Sequence, residues 1–414
     1  MKILVQKFGG TSLAMPEQRN LVVGKIKEAL AMDYKLVVVV SAMGRLGDPY
    51  ATDTLLSLVK ETGGILNNRE QDLLLSCGEI VSGVVLTSLL NKNHIEAITF
   101  TGAQAGIITN EDYTDSRILA IKPERILNEL KKNKVVVVAG FQGLTQKGEI
   151  TTLGRGGSDT TAAALGVALG AEAAEIYTDV DGIKTADPQI VQDARTLSIV
   201  SYNEICNLAY EGAKVIHPRA VEVAMQHNLP IKIKSTFSQE PGTMITNKLY
   251  SVDQMVEISN YGLITGITQI PNITQLKIFT DKLKEKKDVE VKVFKALALA
   301  NISVDFINVL PDVIMFTVKD EVVDKAVEIL KNMDIQPEVY PNCAKVSAVG
   351  AGMAGIPGVM AQIVEALAKE GVRILQSADS HTTIWCLVGR KDMEVAVRSL
   401  HKQFNLGEKY LSKR

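Results

Sequence analysis

Two runs of four consecutive valines, Val37–Val40 and Val135–Val138, constrain this chain most. A strand exposed on one face alternates apolar with polar residues, whereas a strand apolar at every position needs cover on both faces. Both runs therefore read as inner strands of a sheet held between helical layers. Further strands are expected at Ile3–Phe8, Ala97–Thr101, Glu175–Thr178 and Ile231–Lys234, the valine runs extending to Leu36–Ser41 and Val135–Phe141. Helical spacing covers Pro16–Ala31, Arg69–Leu90 and Asp159–Leu169. Strand alternating with helix implies a three-layer αβα sandwich around an open, mostly parallel sheet.

At 414 residues the chain exceeds one ordinary core, so two or three domains are expected. Its 45 basic and 47 acidic residues leave a formal charge of −2, without the basic face that a nucleic-acid partner demands. No apolar run reaches membrane-spanning length and the N-terminus enters a strand, so neither a membrane nor a signal peptide is expected. Cys77, Cys206, Cys343 and Cys386 are far apart, and the five histidines form no HxxxH pair. These residues fit free thiols in a reducing cytoplasm and no metal held by protein side chains.

Residues Ser235–Tyr261 are polar and turn-rich and read as a linker. Beyond them the chain repeats itself at an offset of 70 residues: Val293–Val304 lies over Ile363–Ile374, Ile314 over Ile384 and Ala326 over Ala396. Each unit reads helix, strand, strand, helix, with further strands at Leu276–Phe279 and Ala344–Val349, as in ferredoxin-like α+β modules. The charged run Thr280–Asp288 reads as a solvated loop. Gly350-Ala351-Gly352 and Ile356-Pro357-Gly358 form a turn suited to presenting helix N-terminal amides to a carboxylate.

Glycine-hinged turns follow several strands. Gly9-Gly10 closes the first, Ser41-Ala42-Met43-Gly44 the second, and Thr151–Gly166 runs from a turn into a helix. Glycine lets backbone amides approach an anion, and a helix N-terminus adds its dipole. Lys7 supplies a mobile cation for a phosphate, and Arg155 a planar fork for a carboxylate. Asp179 and Asp181 end another strand. Ligands of open α/β sheets gather at the carboxyl ends of strands, where these turns fall. A nucleotide and an acidic small molecule brought together suggest a kinase.

From end to end the chain resembles the aspartokinases of the amino-acid kinase superfamily. The carrying segments are KFGGTS (Lys7–Ser12), VSAMG (Val40–Gly44), LLLSCGE (Leu73–Glu79), LGRGGSDTTAAAL (Leu153–Leu165), YTDVDGIKTADP (Tyr177–Pro188) and GAKVIHPRA (Gly212–Ala220). The doubled tail resembles that family's pair of ACT regulatory modules. The resemblance implies a kinase domain over 1–240 and ACT domains over 262–337 and 343–410, the last also taking a strand from 262–272. It implies ATP with Mg²⁺ carried on the phosphates, L-aspartate as acceptor and 4-phospho-L-aspartate as product.

By the same resemblance, Lys7, Phe8, Gly9, Gly10, Ser41, Thr178, Asp179, Lys184, Lys214 and Val215 would hold ATP. Thr52, Glu79, Arg155, Gly156, Gly157 and Ser158 would hold aspartate, Arg155 its α-carboxylate and Glu79 its ammonium. Asp159 would order either the phosphate-side lysine or the metal-bound phosphates. Lys184 and Gln189 stand where relatives often carry an aromatic residue and an arginine, and Arg45–Pro49 enlarges the loop before Thr52. Asp305, Asn308, Ser377 and Asp379 are candidate effector contacts. The run Ser377–Val388 looks most like the diaminopimelate-sensitive type, so meso-diaminopimelate is the favoured effector, with lysine and threonine as alternatives. Paired ACT edges imply a homodimer or larger assembly.

A carboxylate acceptor is already ionised at neutral pH, so this chemistry needs alignment and charge neutralisation instead of a general base. Two rival readings remain open from sequence: a kinase for glutamate, acetylglutamate or a nucleoside monophosphate, and a non-catalytic amino-acid sensor. The double tail and GRGGSDTT disfavour the first; Lys7, Glu79, Arg155 and Asp159 argue against the second.

Overall fold

A computed structural model describes residues 1–213, 215–247, 263–283, 288–351, 353 and 356–407, the Lys282 side chain aside. The chain divides into two units. One comprises Met1–Ile183, Thr196–Tyr210 and Lys214–Met255; the other comprises Lys184–Arg195, Glu211–Ala213 and Val256–Arg414.

The strands of the first unit are β1 (Ile3–Phe8), β2 (Lys35–Val40), β3 (Ala97–Phe100), β4 (Ile107–Thr109), β5 (Ile118–Ile121), β6 (Val135–Ala139), β7 (Gln142–Thr145), β8 (Ile150–Thr152), β9 (Ala173–Thr178), β10 (Ile199–Val200), β11 (Ile231–Ser235) and β12 (Thr243–Ile245). Eight of them form one sheet in the order β10-β12-β11-β9-β1-β2-β6-β3. Neighbours run parallel except β11 and β12. The valine runs occupy inner strands, as expected: Val37 to Val40 and Val136 to Val138 are fully buried. Leu36, Val38 and Val40 join one apolar cluster with Val22, Val23 and Ile26 of helix Pro16–Ala31 and Leu86 and Leu90 of helix Asn68–Lys92. Their alternates face the opposite layer, where helix Gly157–Ala168 packs on β1, β2 and β9.

Helix Asn68–Lys92 is long and apolar enough by composition to span a bilayer, a feature the run-based reading passed over. Its 25 residues bury Leu75, Gly83, Leu86 and Leu90 inside this unit, together with the carboxylates of Asp72 and Glu79. The remaining strands form a small sheet, β5-β4-β7-β8, that no sequence signal announced.

The second unit contains β13 (Gly266–Phe279), β14 (Asp305–Leu310), β15 (Val313–Lys319), β16 (Glu338–Val349), β17 (Gln376–Asp379) and β18 (Thr383–Gly389), in the order β14-β15-β13-β16-β18-β17, all antiparallel. The 70-residue repeat is realised in space. Helix Val289–Leu299 corresponds to Val359–Lys369, β15 to β18, and helix Val323–Lys331 to Met393–Gln403. The long central strands are shared. Gly266–Ile270 pairs with Lys345–Val349, a shift in register follows, and Gln275–Lys277 pairs with Glu338–Tyr340. One core accordingly gathers Leu276, Val293, Phe316 and Leu330, and the other Ile267, Val346, Ile363 and Leu400. Residues 284–287, 352, 354 and 355, which include part of the charged run and of the glycine turn, lie outside the described residues.

Candidate active site

The parallel register sets Phe8 beside both Val40 and Tyr177, so the turns after β1, β2 and β9 leave the sheet side by side. Backbone bonds lace them together: Ser41 N to Phe8 O at 3.1 Å, Gly44 N to Gly10 O at 3.0 Å and Gly9 N to Tyr177 O at 3.3 Å. Glycine is required at position 10 because a Cβ there would lie 2.6 Å from Ala42 O. Beneath the turns Phe8 stacks on Tyr177 with centroids 4.7 Å apart. The Tyr177 hydroxyl donates to Glu175, which also accepts from Gln6 at 2.9 Å and pairs with Lys234 at 3.3 Å. Burial, reinforced by Glu175, pushes the Tyr177 hydroxyl pKa up and keeps it a neutral donor.

A cavity of about 290 Å³ opens above this floor. Lys7, Gly10, Ser41, Thr52 and Glu79 contribute to its wall, as do Arg155, Gly156, Gly157, Ser158 and Asp159. Helix Gly157–Ala168 starts here, entered through left-handed Gly156, so its first amides and dipole form part of the lining. Lys7 Nζ lies 2.7 Å from Asp159 Oδ1, and both side chains are only about an eighth exposed, 12% and 13%. Glu79 is 2% exposed. One of its oxygens accepts the Ala42 amide at 3.1 Å, while Oε2 is buried without a hydrogen-bond partner. Burial pushes its pKa up to about 8. Arg155 is exposed, and no described residue pairs with its guanidinium. Among the described residues no three His, Cys, Asp or Glu side chains cluster as a metal site.

The other candidates are distributed as follows. Thr178 Oγ1 bonds Asp179 at 3.2 Å, and Asp179 pairs with Arg45 of the enlarged loop at 2.7 Å. Lys184 falls in the second unit, its ammonium 3.5 Å from Ala194 O. Val215 is half-buried, and Lys214 lies outside the described residues. Asp305 and Asn308 sit on edge strand β14, and Ser377 and Asp379 on the opposite edge strand β17. Asp305 pairs at 2.6 Å with buried Lys345, which also meets Glu211 at 3.1 Å.

Sequence reasoning gave no role to Asp72. Its buried carboxylate accepts the amides of Thr114 and Thr152 and, at 2.6 Å, the Thr152 hydroxyl. It stands seven residues before Glu79, two helical turns along one face, a spacing that could have flagged it. His217 and Arg219 were legible only as letters of the GAKVIHPRA segment. The structure sets both against the Leu153–Gly156 turn.

The amino acid kinase family model matches residues 2–235, and an ACT domain model matches 338–402. Aspartokinase 1 of Bacillus subtilis is 53% identical over 99% of this chain and all of its own length. Escherichia coli aspartokinase III in complex with aspartate and ADP (R-state) superposes with a TM-score of 0.79 at 25% identity, covering 98% of this chain and 100% of its own. The same enzyme in complex with lysine and aspartate (T-state) gives 0.75 at 25% identity, with the same coverage. The nucleotide-compatible turns, the buried carboxylate and the doubled ferredoxin-like tail thus have a common source: the chain belongs to the aspartokinases of the amino acid kinase family.

Proposed function

We propose that this protein transfers the γ-phosphate of ATP to the β-carboxylate of L-aspartate, giving 4-phospho-L-aspartate. One observation carries the reading. A single cavity joins a phosphate-compatible half, Lys7 with Gly10 and a helix N-terminus, to an amino-acid-compatible half, buried Glu79 with Arg155, which is unpaired among the described residues. Arg155 grips the α-carboxylate with its two-pronged guanidinium. The unpartnered Glu79 oxygen receives the α-ammonium, and the arriving cation favours ionisation of a carboxyl that burial otherwise keeps protonated. Thr52, Ser158 and the Gly156-Gly157 amides complete the aspartate seat, leaving the β-carboxylate to face the phosphate side.

There Lys7, steered by Asp159, neutralises charge on the transferring group, while Phe8, Gly9, Gly10, Ser41, Thr178, Asp179, Lys214 and Val215 serve the nucleotide. The acceptor is already an anion, so positioning and charge neutralisation suffice and no residue need remove a proton. Mg²⁺ would screen the phosphate oxygens when bound. The pairing of Lys7 with Asp159 fits a metal carried on the nucleotide better than one caged by side chains.

Regulation is assigned to the doubled tail. We read 1–240 as catalytic and 262–337 with 343–410 as ACT domains, responding to an amino acid, meso-diaminopimelate in preference to lysine or threonine, near Asp305, Asn308, Ser377 and Asp379. Edge strand β14 exposes Ile307, Val309 and Leu310, which supports pairing with a second copy. The cysteines, all free, support a reducing compartment, the cytoplasm. Replacing Arg155 with alanine should raise the aspartate KM by about 10- to 100-fold, the worth of a charged hydrogen bond, and leave the ATP KM within about twofold. Unchanged aspartate kinetics would contradict the assignment.

A further inference from the structure

Arg155 projects from Leu153–Gly156, and three side chains that do not line the cavity decide where that turn sits. Gly154 and Gly156 are both left-handed, with φ of +70° and +71°. A Cβ on Gly154 would come within 2.6 Å of Asp115 Oδ1, and one on Gly156 within 2.2 Å of the His217 Cβ. The turn is therefore wedged between Asp115 and His217. Arg219 ties the wedge together: Nη1 donates to Leu153 O at 2.7 Å and Nη2 to Asp115 Oδ1 at 2.8 Å. His217 caps the helix that carries Arg219, its Nδ1 accepting the Arg219 amide at 3.3 Å.

We propose that Arg219, seated by Asp115 and His217, is a positioning residue that fixes the Arg155 turn and so sets the affinity for aspartate. The proposal rests on the reading of Arg155 as the grip on the substrate carboxylate. Because the Arg155 guanidinium has no partner among the described residues, the placement of its turn sets where it can reach before substrate arrives. Binding through a preset fork avoids ordering the turn at the moment of binding. A guanidinium suits the task because it spans two acceptors in a fixed plane, whereas an ammonium serves as a single point charge. The Arg219–Asp115 pair is itself worth little to stability, since Asp115 is 65% exposed. Its loss should consequently appear in substrate binding more than in folding.

The test is steady-state kinetics on the full chain carrying Arg219→Ala, Arg219→Lys, Asp115→Ala, Arg155→Ala, or Arg155→Ala with Arg219→Ala. Arg219→Ala should raise the aspartate KM about tenfold or more, as a misplaced binding group does, with the ATP KM within about twofold. Arg219→Lys should recover part of that loss. Asp115→Ala removes an exposed side chain and should give a smaller, equally aspartate-specific rise even if Arg219→Ala fails to fold. In the Arg155→Ala background, Arg219→Ala should add less than about twofold, because residues acting through one another are not additive. An aspartate KM unmoved by Arg219→Ala and Asp115→Ala, while Arg155→Ala raises it, overturns the proposal and leaves the function standing. Multiplying effects in the double variant also overturn it. If Arg155→Ala itself leaves aspartate kinetics unchanged, the functional reading falls and takes the proposal with it.

Discussion

Glu79 shows what one side chain's surroundings can impose. On pattern it is a polar position in an apolar helix, yet it is buried, accepts one backbone amide and leaves the other oxygen unpartnered. Burial lifts its pKa to about 8 from an ordinary carboxylate value of 4.5, so the substrate-free site holds a proton at neutral pH. On the proposed reading, the ammonium of aspartate binds the ionised form. The aspartate kcat/KM should therefore rise with pH until about 8 and then level off. Glu79→Gln should flatten that rise and lower the plateau by about 10- to 100-fold. The same shift has an opposite consequence for folding. The folded pKa lies above the unfolded one, so the stability this group contributes is present at low pH and lost as pH rises from the ordinary carboxylate range to about 8. Glu79→Gln should also remove that part of the pH dependence, read from denaturant midpoints across the window.

At the scale of elements, the helix Asn68–Lys92 carries both the cavity-lining Glu79 carboxylate and its own anchor. Asp72 satisfies two amides and a hydroxyl from the Thr114 loop and β8, although burial pushes its pKa up against those bonds. Asp72→Ala would strand three donors and should cost about 3 kcal/mol, at the low end, ~1 kcal/mol, for each unsatisfied group. The check is a lower urea midpoint for the first unit's unfolding, with Asp72→Asn less affected. This anchor was hidden in the sequence because its partners lie 42 and 80 residues away. Elements dominated by local signals were legible: the valine strands, Pro16–Ala31 and the glycine turns each declare themselves within a few residues. The small β5-β4-β7-β8 sheet did not, since strands such as Ile107–Thr109 and Ile150–Thr152 are too short for period-2 alternation to stand out. The candidate site divides along the same line. Lys7, Arg155 and Asp159 were visible by their turns, whereas the grip of Arg219 on Leu153 depends on residues 66 apart in sequence.

For the whole molecule, the 70-residue offset revealed the doubled tail, and the family resemblance gave the second module a strand from 262–272, but neither signalled that β16 also serves both modules. β13 and β16 each serve both modules, with a shift in register between their halves. Nor did the sequence reveal that Lys184–Arg195 and Glu211–Ala213 belong with the second unit, interrupting the first in two places. The most direct test of the account is acyl-phosphate formation, trapped with hydroxylamine, from ATP and Mg²⁺ with aspartate, glutamate or acetylglutamate. Each acid would be tried alone and with meso-diaminopimelate, lysine or threonine. The account predicts signal with aspartate alone, suppressed by an amino-acid effector. Signal of equal size from glutamate or acetylglutamate, or none from aspartate while ATP binds, would contradict it.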